Sequence, residues 1–190
     1  TGYLYPIGPP EYNLVENKMP VEHIFFHPLI VYPELAFDRD YMSDGFDDWF
    51  VTVSEFTKII QSLYDNDYVQ VNLSDAFELK NVGGKDTYVQ KSFMLREGKK
   101  PLVISIDDMN YYPYMIENGT IHKLVLDDNG EVAAYTIPPG GEPEVRRDIA
   151  IVRIIDDFVK KHPDFSHNGA KAKGNGLVFF IAQLRSSRYG

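Results

Sequence analysis

The chain has 190 residues, enough for a domain with a sizeable core, and its 44% apolar and 25% charged residues are an ordinary globular composition. Its 19 Lys and Arg against 28 Asp and Glu leave a formal charge of −9, which argues against a nucleic-acid partner, because phosphate neutralisation needs clustered cations. Cysteine is absent, so disulfides and thiolate chemistry are excluded and any metal would rest on His, Asp or Glu. Neither a transmembrane run nor a signal-peptide pattern is read from the sequence. Aromatic residues reach 14%, a level met in sugar binders and in Tyr-rich cores alike.

Residues 1–20 carry Pro6, Pro9, Pro10 and Pro20 with little periodicity, which predicts an extended or partly disordered lead-in. The run from Val21 to Val31 predicts a buried strand interrupted near Pro28. His23 and His27 have the spacing of a helical metal pair. On a strand they stand about 13 Å apart, at about 3.3 Å per residue, and cannot share one ion. A structural role is the expectation for both, with either free to line a site singly. Tyr32 to Phe50 is predicted to be a solvated acidic loop holding Asp38, Asp40, Asp44, Asp47 and Asp48. Its Asp38-Arg39-Asp40 lacks the later Gly and Glu of a calcium loop. Trp49, the only tryptophan, either plugs the core or faces a ligand.

Thr52-x-x-Glu55 is a capping box, and Phe56, Ile59, Ile60, Leu63 and Tyr64 follow a helical stripe that ends at Asp65-Asn66-Asp67. Tyr68 to Leu73 alternates like a strand, Ser74 to Leu79 fits one helical turn, and Lys80 to Lys100 is expected to be a surface excursion without any phosphate-cradling glycine pattern. The most informative stretch follows. Leu102 to Ile106 is apolar apart from Ser105, as a strand buried on both faces would be, and it stops at Asp107-Asp108. Acids at the C-terminal end of such a strand stand where α/β sheets build their sites. Successive strand residues point to opposite faces, so both acids converge only if the strand breaks there, at Asn110 and Tyr111.

Downstream, Ile121–Leu126 and Val132–Ile137 flank Asn129-Gly130, a hairpin signal read as an insertion. Asn118-Gly119-Thr120 matches a glycosylation sequon. Pro138 to Pro143 is a turn-rich linker. Asp148 is predicted to open a second amphipathic helix bearing Ile151, Ile154, Ile155 and Phe158, closed by Lys160-Lys161 and Pro163. His162 and His167 are spaced for neither a helical nor a strand pair. After Gly169 to Gly176, Leu177 to Leu184 is a further strand candidate.

Phe25-Phe26-His27, Thr52-Val53-Ser54-Glu55-Phe56, Asp67-Tyr68-Val69 and Ser105-Ile106-Asp107-Asp108-Met109 occur in an order that resembles polysaccharide deacetylases of the NodB-homology, carbohydrate-esterase type. Lys161-His162-Pro163-Asp164-Phe165-Ser166 is similar to a segment in a clostridial-type branch, so the likeness spans Val21 to Lys171. It implies an α/β, (β/α) barrel-like fold over residues 21–190, incomplete and with a β-hairpin insertion, after the 1–20 lead-in. The implied activity is metal-dependent hydrolysis of acetyl groups on a cell-surface or extracellular polysaccharide. Asp107 would be the general base and Asp108 a ligand of a divalent metal, zinc first. His27, Asn110 and Tyr111 are expected to face the saccharide, an acetylated polysaccharide or oligosaccharide. The sequence departs from the family pattern in three ways: no H-S/T-x-x-H pair supplies the metal's imidazoles, the Arg-containing, Asp-containing and late His motifs of the later barrel are absent, and Met109 replaces a glycine. The expectation is therefore the first part of such a domain with half a site and little turnover. The alternative is a non-catalytic carbohydrate-binding or cell-surface interaction module on the same fold.

Overall fold

The structure, a computed structural model, describes residues 13–167 and the backbone of residues 177–179. It begins with strands β1 (Leu14–Glu16) and β2 (Glu22–Phe26), then helices α1 (Pro33–Ala36), α2 (Ser43–Trp49) and α3 (Val53–Asp65). Next come β3 (Tyr68–Gln70), α4 (Leu73–Ala76), β4 (Phe77–Val82), β5 (Lys85–Gln90), β6 (Met94–Arg96) and β7 (Lys100–Ile106). The remainder is α5 (Pro113–Glu117), β8 (Lys123–Leu126), β9 (Val132–Thr136), β10 (Glu144–Arg146), α6 (Ile151–Lys161), a 3₁₀ turn (Pro163–Phe165) and β11 (Leu177–Phe179).

The apolar run ahead of the acids is the centre of the main sheet. β2 pairs with β7 along one edge from Glu22↔Leu102 to Phe26↔Ile106, in parallel. The other edge is shared: β3 covers Lys100 to Leu102 and β11 covers Ile104 to Ile106, both parallel. Surrounded in this way, β7 is buried from Pro101 to Ile106, which is why its sequence does not alternate. Leu102, Ile104 and Ile106 pack with Phe26 against Phe56 and Ile60 of α3 and Ile151, Ile155 and Val159 of α6. Val103 joins a second cluster with Val69, Val71, Ala76 and Leu95.

A barrel-like fold was expected; the architecture is mixed α/β with an open sheet, and the described strands form no closed barrel. Among the described residues β2 pairs only with β7, so the sheet does not continue past it. The remaining strands form separate antiparallel units: β1 with β6, β4 with β5, and β8–β9–β10. The Asn129-Gly130 hairpin is present as β8–β9, with Gly130 at a φ of 73° and its N–H donating to the Asp127 carbonyl, but β10 extends it to three strands.

Four other expectations change. Leu14–Glu16 of the lead-in is a strand against β6, while residues 1–12 lie outside the described residues, as do Gly169 to Gly176 and the part of the last strand candidate beyond Phe179. The acidic loop from Tyr32 to Phe50 contains α1 and α2. Asp40 accepts from the N–H groups of Met42 and Ser43 and so starts α2, whose single buried side chain, Phe46, leaves no stripe to read. The excursion after Lys80 is a hairpin, β4–β5, turning at Gly83-Gly84, both with positive φ. Asp148 does not cap α6; it pairs with Arg146, and Ala150 stands at the N-cap without a side-chain bond.

The α3 cap does form as read. Thr52 Oγ1 accepts from the Glu55 N–H, and Glu55 accepts from the Thr52 N–H. Thr52→Ala is expected to cost ~1 kcal/mol in denaturant unfolding. The Thr52 N–H first, and then the Thr52 hydroxyl, both donating to the Glu55 carboxylate, hold it below its ordinary value. A depressed folded value means this contribution is present above the ordinary glutamate range and is lost as pH falls through the lowered value. Alanine keeps the Thr52 N–H and removes the hydroxyl, so the Thr52→Ala penalty should shrink in acid only by the hydroxyl's share. A penalty unchanged there would contradict the bond from that hydroxyl to the Glu55 carboxylate.

Candidate functional site

The β2–β7 ladder runs one residue past the strand: the Asp107 N–H donates to the Phe26 carbonyl at 2.8 Å. Asp108 then takes a left-handed φ of 51°, which ends the alternation. Its N–H donates back to Asp107 Oδ1 at 2.8 Å, closing a tight turn around the first carboxylate. The break in the strand therefore falls at Asp108 itself, one residue before Met109, and both acids turn to the same side. Tyr111 is left-handed as well, with a φ of 50°. Two non-glycine residues in that region within four positions mark a backbone held by its surroundings.

Both acids line a cleft of about 510 Å³ at the C-terminal end of β2 and β7. His27, which follows β2, lines it too. Phe25, Tyr41, Phe46, Trp49, Phe50 and Tyr114 supply aromatic walls, with Met42 and Gly45 completing them. α2 builds one wall: Phe46 is buried and stacks on Phe50 at 4.4 Å, while Trp49 at 63% and Tyr41 at 92% exposure stand at the lip. α5 builds another, with Tyr112 and Tyr114 stacked at 5.9 Å and an interplanar angle of 10°. Burial first, then the nearby Asp108 carboxylate, pushes the Tyr114 phenol above its ordinary value, so it is a proton donor through the neutral range.

His27 is fixed in its tautomer. Its Nδ1 lies 2.9 Å from the Trp49 carbonyl, which can only accept, so Nδ1 carries the proton and donates it. Nε2 is then the position left to accept or bind when the imidazole is neutral. The ring lies 4.9 Å from that of Phe50 at a 30° tilt and 5.8 Å from the Phe25 ring.

The structure brings Asp107, Asp108 and His27 together on this cleft and leaves Asn110 and Tyr111 out of its lining. Asn110 Nδ2 donates to the Tyr112 hydroxyl at 2.8 Å and so braces the turn. Tyr111 is a core residue at 8% exposure, packed with Ile121, Ala134 and Ile149, and burial pushes its phenol far up. The other histidines lie outside the lining of this cleft. His162 sits 4.5 Å from each of the Tyr64 and Phe158 rings, and the Tyr64 hydroxyl donates to Asp164. His167 is half-buried, with burial lowering its value. His23 lies 2.7 Å from the hydroxyl of Ser105, linking β2 to β7 in a smaller cavity of about 250 Å³. In the sequon, Asn118 is buried and donates to the Tyr114 carbonyl, which leaves its amide no room for a glycan.

The resemblance implies a divalent metal. Among the described residues no group of three or more His, Asp or Glu is placed to hold a metal ion, so the set does not fit a zinc centre. No family model, curated protein or solved structure matches the chain. No described helix is long and apolar enough to cross a membrane. Of the aromatic walls the sequence offered only Trp49, as a residue that plugs the core or faces a ligand; the others are not legible there because the walls draw on three segments. The one available signal was the Tyr and Trp density around an acidic stretch.

Proposed function

We propose that the chain is a polysaccharide deacetylase-like domain that holds an acetylated saccharide of a cell-surface or extracellular polysaccharide in the cleft above Asp107 and Asp108. The observation carrying this is the arrangement of two carboxylates and a tautomerically fixed His27 on the floor of an aromatic-walled cleft. Flat faces of Trp49, Tyr41 and Tyr114 suit the C–H faces of pyranose rings, and carboxylates and phenols suit their hydroxyls.

Asp107 holds the base position. It would take a proton from a water whose oxygen adds to the acetyl carbonyl carbon; cleavage of the bond to the sugar nitrogen or oxygen then gives acetate and the free amine or hydroxyl. Stabilising the oxyanion of that addition is the step for which the described residues hold no ligand set, and so binding without appreciable turnover is the expected behaviour.

Acetate release from N-acetylated chito-oligosaccharides, with and without added zinc or cobalt, tests the catalytic half. Release close to the uncatalysed rate is expected. Turnover that disappears in Asp108→Asn would overturn the half-site reading and show a working metal centre. The exposed Trp49 ring also favours a second reading, a purely carbohydrate-binding module. Saccharide binding that survives Asp107→Ala separates it from the first.

A further inference from the structure

The charge of the cleft narrows its ligand. Two carboxylates, Asp107 and Asp108, line it, and none of its lining residues is Lys or Arg. No ion pair among the described residues neutralises either acid. The wall that carries Trp49 and Tyr41 adds to this. Asp44, Asp47 and Asp48 of α2 are exposed, and Asp38 and Asp40 lie just before it, with Arg39 the one cation in that stretch. Asp38 and Asp40, both exposed, shape the turn through the N–H groups of Asp40 and of Met42 and Ser43. A cleft of one sign with apolar walls concentrates its field, and aromatic faces beside carboxylates are the chemistry that recognises an ammonium group.

We infer that the cleft is selective for a cationic amino-sugar polymer, one whose units are partly de-N-acetylated, over a neutral fully acetylated one. This rests on the saccharide reading of the same cleft. An acetylated unit would lie over Asp107 while neighbouring protonated amines meet Asp108 and the ring faces of Trp49 and Tyr41; the α2 acids, outside the lining, add only to the field around the cleft. An anionic glycan is rejected by the same field.

Trp49 is the only tryptophan, so its fluorescence reports this cleft. Titrations with a neutral N-acetylglucosamine hexamer and a fully de-N-acetylated glucosamine hexamer at about pH 6 compare the two charges, since amines are protonated and carboxylates ionised there. The cationic hexamer should bind at least about tenfold more tightly at low salt. That advantage should largely vanish near 1 M salt, where the screening length falls to about 3 Å. Replacing Asp44, Asp47 and Asp48 by Asn should weaken the cationic hexamer several-fold and leave the neutral one unchanged, with circular dichroism confirming the fold. Equal affinities, or a neutral preference, would overturn the inference while leaving the saccharide reading intact. Binding of neither hexamer would overturn both.

Discussion

Gly119→Ala is expected to destabilise the protein by ~3 kcal/mol or more, lowering the thermal midpoint by roughly 6–12 °C for a chain of this size. Two costs add. Gly119 has a φ of 89°, where a side chain costs about 1–2 kcal/mol. A Cβ built there also collides with the backbone carbonyl oxygen of Tyr32, which no rotamer change relieves. The carbonyl of Gly119 accepts from the N–H groups of Val31 and Tyr32 at 2.8 and 3.1 Å, so moving the chain apart breaks those bonds. Gly119 follows α5 as its C-terminal turn, and α5 carries Tyr114, so the cleft wall should loosen along with the fold. Gly130→Ala is the control. Its φ is 73° but nothing lies near the added Cβ, so only the backbone term of about 1–2 kcal/mol applies. Equal losses in the two variants would refute the contact with Tyr32.

The contrast between these glycines explains what the sequence could and could not disclose. Asn129-Gly130 is a local signal, written in adjacent residues, and its hairpin formed where expected. The need for glycine at 119 comes from Tyr32, far away in the chain. The same division runs through the fold. The α3 stripe and cap are local, and both were legible. β7 was legible because burial on both faces makes an unbroken apolar run. α2 was not, because only Phe46 of its seven residues is buried and its start is made by an Asp side chain bonding to backbone. Asp148 misled because an acid ahead of an apolar stripe looks like a cap until its Arg146 partner is known.

At the site, Asp107 and Asp108 stood out as acids ending a buried strand, and the left-handed φ at Asp108 is the local device that turns both to one side. Tyr111 was assigned to the saccharide on proximity in sequence. The second left-handed residue sends its ring into the core instead, and Tyr114, three positions on, takes the place in the cleft wall. Proximity along the chain fails as a guide wherever the backbone leaves its regular alternation.

Trp49→Ala is the variant with the largest expected effect on ligand binding. The ring stands 63% exposed at the lip, so truncating it removes little packing, and stability should stay within about 0.5 kcal/mol. What links Trp49 to the polar floor is its backbone carbonyl, which holds His27 Nδ1, and alanine keeps that carbonyl. The variant thus separates the stacking face from the machinery beneath it. Truncating a hot-spot aromatic ring costs about 2–3 kcal/mol, so affinity for an amino-sugar hexamer should fall about 30- to 150-fold. Because the substitution also removes the fluorescent reporter, calorimetry is the measurement. Trp49→Phe, which retains a smaller face, should recover part of the loss. The two variants together distinguish a ring that stacks on sugar from one that merely shields the cleft from water: recovery by Phe is expected of the first. Binding within twofold of the parent chain in Trp49→Ala would remove Trp49 from the site, and with it the stacking half of the saccharide reading.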